Sequence, residues 1–166
     1  MTATPLAMIL SPIFGLNMAE TLGSLCDKLT IVKLKEWHTE EADRQASLRI
    51  QERQLCEEID AFVRGVVGGT VPLDRLVFAA NKVYKQQGNT VAAVDGSIGE
   101  VFAKLAWVNC RLWHEQEKVY DFAAVPIDQK DAVVKQLALL NLERNQCIDR
   151  IDRAFRDEIN GLTKCT

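Results

Sequence analysis

The stretch SIGEVFAKLAWVNCRLWHEQE, residues 97–117, decides the fold of this chain because it occurs twice. Moved back by 76 positions, it aligns without a gap on TLGSLCDKLTIVKLKEWHTEE, residues 21–41. Seven positions are identical in the two copies, and they include a Trp-His dipeptide at residues 37–38 and at residues 113–114. Ordinary composition gives about one or two identities in a window of this length. The sequence therefore predicts an internal duplication.

Each copy has the pattern of an amphipathic helix. Thr21 and Ser97 stand at N-cap positions, and Ser97 with Glu100 forms a capping box, in which each side chain accepts a hydrogen bond from the other residue's backbone N–H. We expect the first helix to end in the polar run 39–45 and the second at about Phe122. Apolar residues recur at helical spacing in both copies, at Leu22, Leu25, Leu29 and Val32 and at Ile98, Val101, Leu105, Val108 and Leu112.

A partner helix is predicted after each copy. The first partner carries apolar residues from Leu48 to Val66 and is followed by a glycine cluster at 65–69, which is typical of a helix end. The second partner opens at Pro126 and is expected to end at Gly161. The two partners also share the pattern Glu-Arg-x-x-Cys at an offset of 91 positions.

The sequence thus predicts an all-α fold, a four-helix bundle-like arrangement built from a duplicated helical hairpin. We expect one domain over residues 1–166, with a first hairpin at 18–67, a second hairpin at 97–160 and a connection at 68–96. Within the connection, a short helix is expected over residues 73–87, followed by a loose, mobile stretch at 88–96.

Composition restricts the class of protein. The chain has 166 residues, 48% of them hydrophobic and 26% charged, with a net charge of −3, so no basic field is present to attract nucleic acid. No segment has the length of uninterrupted apolar residues that a membrane span requires. Five cysteines without a CxxC pair favour neither a disulfide framework nor a zinc site. We expect a cytoplasmic protein without a cofactor.

The residues repeated in the two copies form a polar strip beside the apolar stripe. On a helical wheel, Lys28, Lys35 and His38 share one face, with Glu41 on its flank. A histidine and a carboxylate three positions apart on a helix lie close enough to interact. Each copy is therefore expected to present a cation, a histidine and a carboxylate along one edge, and the counterparts in the second copy are Lys104, Arg111, His114 and Glu117.

Three interpretations of this strip remain open. In the first, the strip is structural: Trp37 and Trp113 are buried at equivalent places in the bundle, and the charged residues form surface pairs. In the second, a phosphate or carboxylate binds between the two halves, where arginine supplies a bidentate fork. The candidate ligand-binding residues of this second interpretation are Lys28, Lys35, Lys104, Arg111, Arg53 and Arg144.

If that pocket carries chemistry, the histidines are its natural proton carriers. Histidine is the residue type best suited to proton transfer in proteins, which makes His38 and His114 the candidates, and Glu41 and Glu117 are placed to tune them. These four residues are the candidate catalytic groups.

The third interpretation is a metal site. Four-helix di-iron proteins use two Glu-x-x-His motifs and one glutamate from each remaining helix. This chain has two histidines and four glutamates that could serve as ligands, but each motif reads His-x-x-Glu, the reverse of Glu-x-x-His. Lys35 and Arg111 also stand nearby and would repel a cation. The ligands of this alternative are His38, Glu41, Glu52, His114, Glu117 and Glu143.

Three segments resemble a bacterial family of small helical proteins of unknown function. They are LGSLCDKLTIVKLKEWH at 22–38, IGEVFAKLAWVNCRLWHEQEKV at 98–119 and LNLERNQCIDRID at 140–152. The family's hallmarks are a Leu-Gly-x-Leu-x-x-Lys-Leu opening, an Asn-x-x-Leu-Trp-x-x-Glu core and a Leu-Asn-x-x-Arg-Asn ending. Asn109 and Arg144 occupy motif positions, whereas Gln116 stands where the core has its carboxylate.

The resemblance implies little about activity. Members are often encoded near surface-polysaccharide and glycosyltransferase genes, which implies a link to glycan assembly. Asn109, as a core-motif residue, completes the set of candidate ligand-binding residues. The expected function is the binding of a small anionic ligand, of phosphate or nucleotide-sugar type, between the repeats. The alternatives are a metal-binding bundle and a non-catalytic interaction module that forms a homodimer or docks on a protein partner.

Overall fold

Four α-helices make up most of the described part of the chain, residues 19–78, 84 and 87–163, in a computed structural model. No strand occurs in these residues, so the all-α prediction is confirmed. The elements are α1 (Leu22–His38), α2 (Ala42–Val67), a 3₁₀ turn (Leu73–Arg75), α3 (Ile98–Tyr120) and α4 (Lys130–Thr163).

Both repeated helices begin with a capping box. The Thr21 hydroxyl accepts from the Ser24 backbone N–H at 3.3 Å, and the Ser24 hydroxyl accepts from the Thr21 N–H at 2.9 Å. Ser97 and Glu100 form the predicted box at the start of α3. Each box satisfies two backbone donors that the first turn of a helix leaves without intrahelical partners.

The predicted end of α2 in the glycine cluster is confirmed, whereas the predicted start and end of α4 are wrong. α2 begins at Ala42, before the first apolar residue of its stripe, and ends at Val67, where Gly69 has a φ of +73°. α4 begins four residues after Pro126 and continues through Gly161. A glycine costs a helix only about 1 kcal/mol relative to alanine, so Gly161 does not end α4.

One hydrophobic core receives side chains from all four helices. Leu25 of α1, Leu105 of α3 and Ile151 of α4 are at most 1% exposed, and Phe62 of α2 packs with them. α1 pairs with α2 and α3 pairs with α4, while α1 also packs against α4 and α3. None of the helices in the described residues is long and apolar enough to cross a bilayer.

The connection between the hairpins is irregular but anchored. Its described part contains only the 3₁₀ turn, so the predicted helix at 73–87 is wrong for residues 73–78, and residues 79–83 and 85–86 lie outside the described part. The stretch at 88–96, predicted to be loose, contains no helix and is attached to α4 and the core at several points. Lys135 donates to the Gly88 carbonyl at 2.6 Å, Arg150 donates to the Gly96 carbonyl at 2.9 Å, and Val94 lies in the core.

The two tryptophans at equivalent repeat positions do not share an environment. Trp37 is 84% exposed, so the prediction that both are buried is wrong. α1 ends one residue after Trp37, beyond the part of the helix that packs into the core. Trp113 lies inside the longer α3 and is partly covered by His38. The tertiary surroundings, and not the local sequence, decide the burial of this side chain.

Candidate functional site

A groove runs along α1 where that helix meets α2. It consists of two adjoining cavities of about 450 and 410 Å³, each within the roughly 300–1,000 Å³ typical of small-molecule sites. Lys35 of α1 and Gln51 of α2 line both cavities. Trp113 of α3 borders the larger cavity and Arg144 of α4 borders the smaller one. All four helices therefore contribute to this α1 groove.

The predicted polar stripe of α1 forms one wall of the groove. Lys28, Ile31, Lys35 and His38 follow one another at steps of three and four residues, which places them on one face of the helix. All four line the groove, so the predicted alignment of Lys28, Lys35 and His38 is confirmed. The hydrophobic residues on the adjoining side of α1 hold this face in place by packing into the core.

Arg144 is held at one end of the groove by a buried carboxylate. Asp27 is 4% exposed, and its Oδ1 accepts from the Arg144 Nε at 2.7 Å while its Oδ2 accepts from Nη2. These hydrogen bonds raise the pKa of the Arg144 guanidinium. Among the described residues, Nη1 has no hydrogen-bond partner. The pairing therefore orients the guanidinium and leaves one edge available to a ligand.

Asn109 supports this pair from α3. Its Nδ2 donates to Asp27 Oδ1 at 2.9 Å and to Thr30 Oγ1 at 2.7 Å, and the residue is 1% exposed. Asn109 Oδ1 is buried and has no hydrogen-bond partner in the described structure. The network joins α1, α3 and α4 in a layer beneath the groove. Asn109 thus positions Asp27 and is not among the residues that line the groove.

Cationic side chains outnumber acidic ones among the residues that line the groove, although most of these cations are paired with a carboxylate. Lys28 pairs with Glu20 at 2.6 Å, and Arg44 pairs with Glu41 at 2.9 Å. Lys35 is exposed and has no ion-pair partner among the described residues. It lies where the two cavities adjoin. The charged residues that line the groove are Lys28, Lys35, Arg44, Arg144 and Glu58.

Aromatic rings border the larger cavity. The His38 imidazole stacks on the Trp113 indole with centroids 4.6 Å apart and planes inclined by 14°. His114 meets His38 edge to face, with centroids 6.4 Å apart. The histidines at equivalent positions of the two repeats therefore lie next to each other. Of the two, only His38 lines the cavity.

The predicted histidine–carboxylate pairs form in one half only. His114 Nδ1 lies 3.3 Å from Glu117 Oε2, and Trp113 Nε1 donates to Glu117 Oε1 at 2.9 Å. These hydrogen bonds, with that from Trp113 as the larger effect, lower the pKa of Glu117. The corresponding prediction for His38 and Glu41 is wrong. α1 ends at His38, so the helical spacing is lost, and Glu41 becomes the N-cap residue of α2 and pairs with Arg44.

Three of the candidate ligand-binding residues lie away from the groove. Lys104 pairs with Glu143 at 3.0 Å between α3 and α4. The Arg111 guanidinium lies 4.7 Å from the centre of the Trp107 ring. Arg53 is an exposed residue of α2 that does not line either cavity. Lys28, Lys35 and Arg144 are the members of the predicted set that the fold brings to the groove.

The six residues of the metal alternative do not come together. Lys33 holds Glu52 at 3.1 Å, and Lys104 holds Glu143, so these two carboxylates are engaged on separate faces. Over the part of the chain that the structure describes, no group of three or more His, Cys, Asp or Glu side chains is arranged to hold a metal ion. The six candidate metal ligands of the sequence therefore do not form a metal site in the described part of the structure.

Two groups of residues were not predicted from the sequence: those that support the groove from inside the bundle, and those of α2 that line it. Asp27 and Thr30 belong to α1 but face the bundle, while Arg44 and Gln51 face the groove from α2. Asp27 carried a usable signal, because a carboxylate there falls close to the apolar stripe of α1 and must find a partner when buried. No local pattern marked Arg44 or Gln51.

Comparison with known proteins does not assign this chain to a family. No protein-family model, curated protein or solved structure matches the chain.

Proposed function

We propose that this protein binds a small anionic ligand of the phosphate type in the α1 groove. The observation that carries the proposal is that two cationic side chains with unused donors line the same cavity. Lys35 has no ion-pair partner among the described residues, and Arg144 lines the same cavity with its Nη1 edge unbonded. Both side chains line this cavity, as does Glu58, so a phosphate bound there is exposed to both cations and to that carboxylate.

The two cations suit a phosphate for different reasons. Arginine presents a planar fork that matches pairs of phosphate oxygens, and here Asp27 fixes the orientation of that fork before a ligand arrives. Because Asp27 also offsets the charge of Arg144, the net attraction for an anion comes chiefly from Lys35. Lysine is a flexible point charge that adjusts to the position of the anion.

A pair of matched lysine variants tests the proposal. We expect Lys35→Gln to weaken the binding of inorganic pyrophosphate about tenfold, which corresponds to a loss of about 1.4 kcal/mol. Lys33→Gln makes the same charge change two residues away, at a lysine that pairs with Glu36 and Glu52 and lines neither cavity. We expect it to leave the affinity within about twofold, because its charge is already offset. Isothermal titration calorimetry at low ionic strength measures both.

Two outcomes contradict the proposal. If the unmodified protein does not bind pyrophosphate, the groove is not an anion site of this type. If both variants weaken binding equally, the effect follows the net charge of the protein and not a defined site. Binding of pyrophosphate to the native state also raises the melting temperature, which gives an independent readout.

A further inference from the structure

We infer that the ligand of the α1 groove is a nucleoside phosphate, whose phosphates lie between Lys35 and Arg144 and whose ring system lies against His38 and Trp113. This inference rests on the proposed function and adds the chemical class of the ligand. It follows from the difference between the two ends of the groove, one of which is cationic and the other aromatic.

The aromatic end consists of two rings that stack on each other, which leaves one face of each ring for a ligand. His38 and Trp113 are nearly parallel, with planes inclined by 14°, and both line the larger cavity. A nucleobase presents a π face that stacks on aromatic side chains whatever its identity. Inorganic phosphate has no group that uses such a surface, and a sugar phosphate offers only the C–H groups of its ring and no π face.

The rest of the larger cavity carries hydrogen-bonding groups without negative charge. Thr39, Ser47 and Gln51 line it, no acidic side chain is among its lining residues, and Arg44, which lines it, is paired with Glu41. Hydroxyl and amide groups of this kind hydrogen-bond to sugar hydroxyls and to base edges. The phosphates are placed in the smaller cavity, whose lining has Glu58 as its acidic side chain and Lys28, Lys35 and Arg144 as its cationic ones. The lining of the larger cavity therefore fits the middle part of a nucleoside phosphate.

The groove is long enough to separate a ring from a phosphate group. Lys28 and His38 stand at its two ends on α1, and ten residues of helix span about 15 Å. Lys35, which lines both cavities, lies between these ends. An extended ligand with an aromatic ring at one end and phosphates at the other matches this arrangement, whereas a lone phosphate occupies only one end.

Calorimetric titrations with four probes test the inference: adenosine diphosphate, uridine diphosphate, ribose 5-phosphate and inorganic pyrophosphate. We expect both nucleotides to bind at least tenfold more tightly than either of the other two probes. Trp113→Leu is expected to remove this preference while pyrophosphate binding stays within about twofold. Trp107→Leu is the matched control, since Trp107 is 52% exposed on the same helix and lines neither cavity.

His38→Ala provides a second variant in case Trp113→Leu impairs folding, because His38 is exposed and makes no core contact. It is expected to reduce the affinity for nucleotides at least fivefold and to spare pyrophosphate. If pyrophosphate binds as tightly as the nucleotides, or if Trp107→Leu and Trp113→Leu act alike, the inference is overturned while the proposed anion site stands. If none of the four probes binds, both proposals fail.

Discussion

At the scale of single residues, the pair formed by Asp27 and Arg144 shows how a buried charge shapes a surface. Taking both groups out of water is costly, and the cost is offset here by two direct hydrogen bonds and by the donation from Asn109. The carboxylate uses both of its oxygens to hold one side of the guanidinium. The opposite side is thereby directed outward, which is why a buried residue of α1 determines what the groove presents to a ligand.

Asp152 of α4 is a buried carboxylate of a different kind. It is 1% exposed, and its Oδ1 accepts from the Gly23 backbone N–H at 2.7 Å, at the start of α1. Burial raises the pKa of Asp152 from 3.8 to about 6, against the hydrogen bonds it accepts. The folded protein therefore favours the protonated form relative to the unfolded chain. The contribution of this proton to stability is complete below pH 3.8 and is lost as the pH rises through 6.

A pH series of unfolding free energies measures this effect. We expect the stability of the unmodified protein relative to Asp152→Asn to fall by up to about 3 kcal/mol between about pH 4 and pH 7, since asparagine keeps the shape but does not ionise. Urea denaturation at each pH gives the difference. Asp157→Asn removes an exposed carboxylate from the same helix and serves as the control for the loss of one negative charge. A constant difference between the unmodified protein and Asp152→Asn would show that Asp152 does not titrate in this range.

At the scale of elements, the first turn of α1 approaches the backbone of α4 closely. A Cβ atom added at Gly23 would lie 2.6 Å from the Ile148 carbonyl oxygen and 3.0 Å from Asp152 Oδ1. The equivalent glycine in the first turn of α3, Gly99, has no atom within 4 Å of the same position. Two glycines at matching positions of the two similar sequence segments therefore serve different purposes, since only Gly23 permits a helix contact.

Alanine substitutions at these two glycines have opposite expected effects. Gly23→Ala should destabilise the protein by about 1–3 kcal/mol, because the obstructing atom belongs to a helix backbone that cannot move aside. Gly99→Ala should stabilise it by about 0.4–1 kcal/mol by reducing the freedom of the unfolded chain. Chemical denaturation of both variants measures the two changes. Equal effects at the two positions would contradict the close packing of α1 on α4.

At the scale of the whole molecule, the shared core links the two hairpins. Leu25 and Phe62 come from the first hairpin, Leu105 and Ile151 come from the second, and Val94 of the connection packs with them. The Asp27 network adds hydrogen bonds between α1, α3 and α4. Neither hairpin has a separate core in the described structure, so neither is expected to persist when the other unfolds.

Unfolding should therefore occur as one cooperative transition. We expect far-UV circular dichroism, which reports all the helices, and tryptophan fluorescence, to which the partly covered Trp113 contributes, to give coincident urea curves. Trp37→Phe removes the most exposed indole and serves as a control, since it should leave the midpoint unchanged. Two separate transitions would show that the hairpins are independent units.

The sequence by itself determined the helices and the face of α1 that became the groove wall. Helical periodicity, N-caps and side-chain spacing arise from interactions within about four residues, so Ser97 with Glu100, and Lys28 with Lys35 and His38, could be placed from local pattern alone. The core positions Leu25 and Leu105 followed from the same periodicity.

Only the tertiary structure decided which of these residues meet. The partners Asp27 and Arg144 are 117 residues apart, and no periodicity within one helix pairs them. The same separation of local from distant interactions explains why aligned positions diverge: Trp37 is exposed where Trp113 is covered, and His38 lacks the carboxylate contact that His114 has. Helix formation depends on near neighbours in the chain, whereas the groove depends on how whole helices pack against one another.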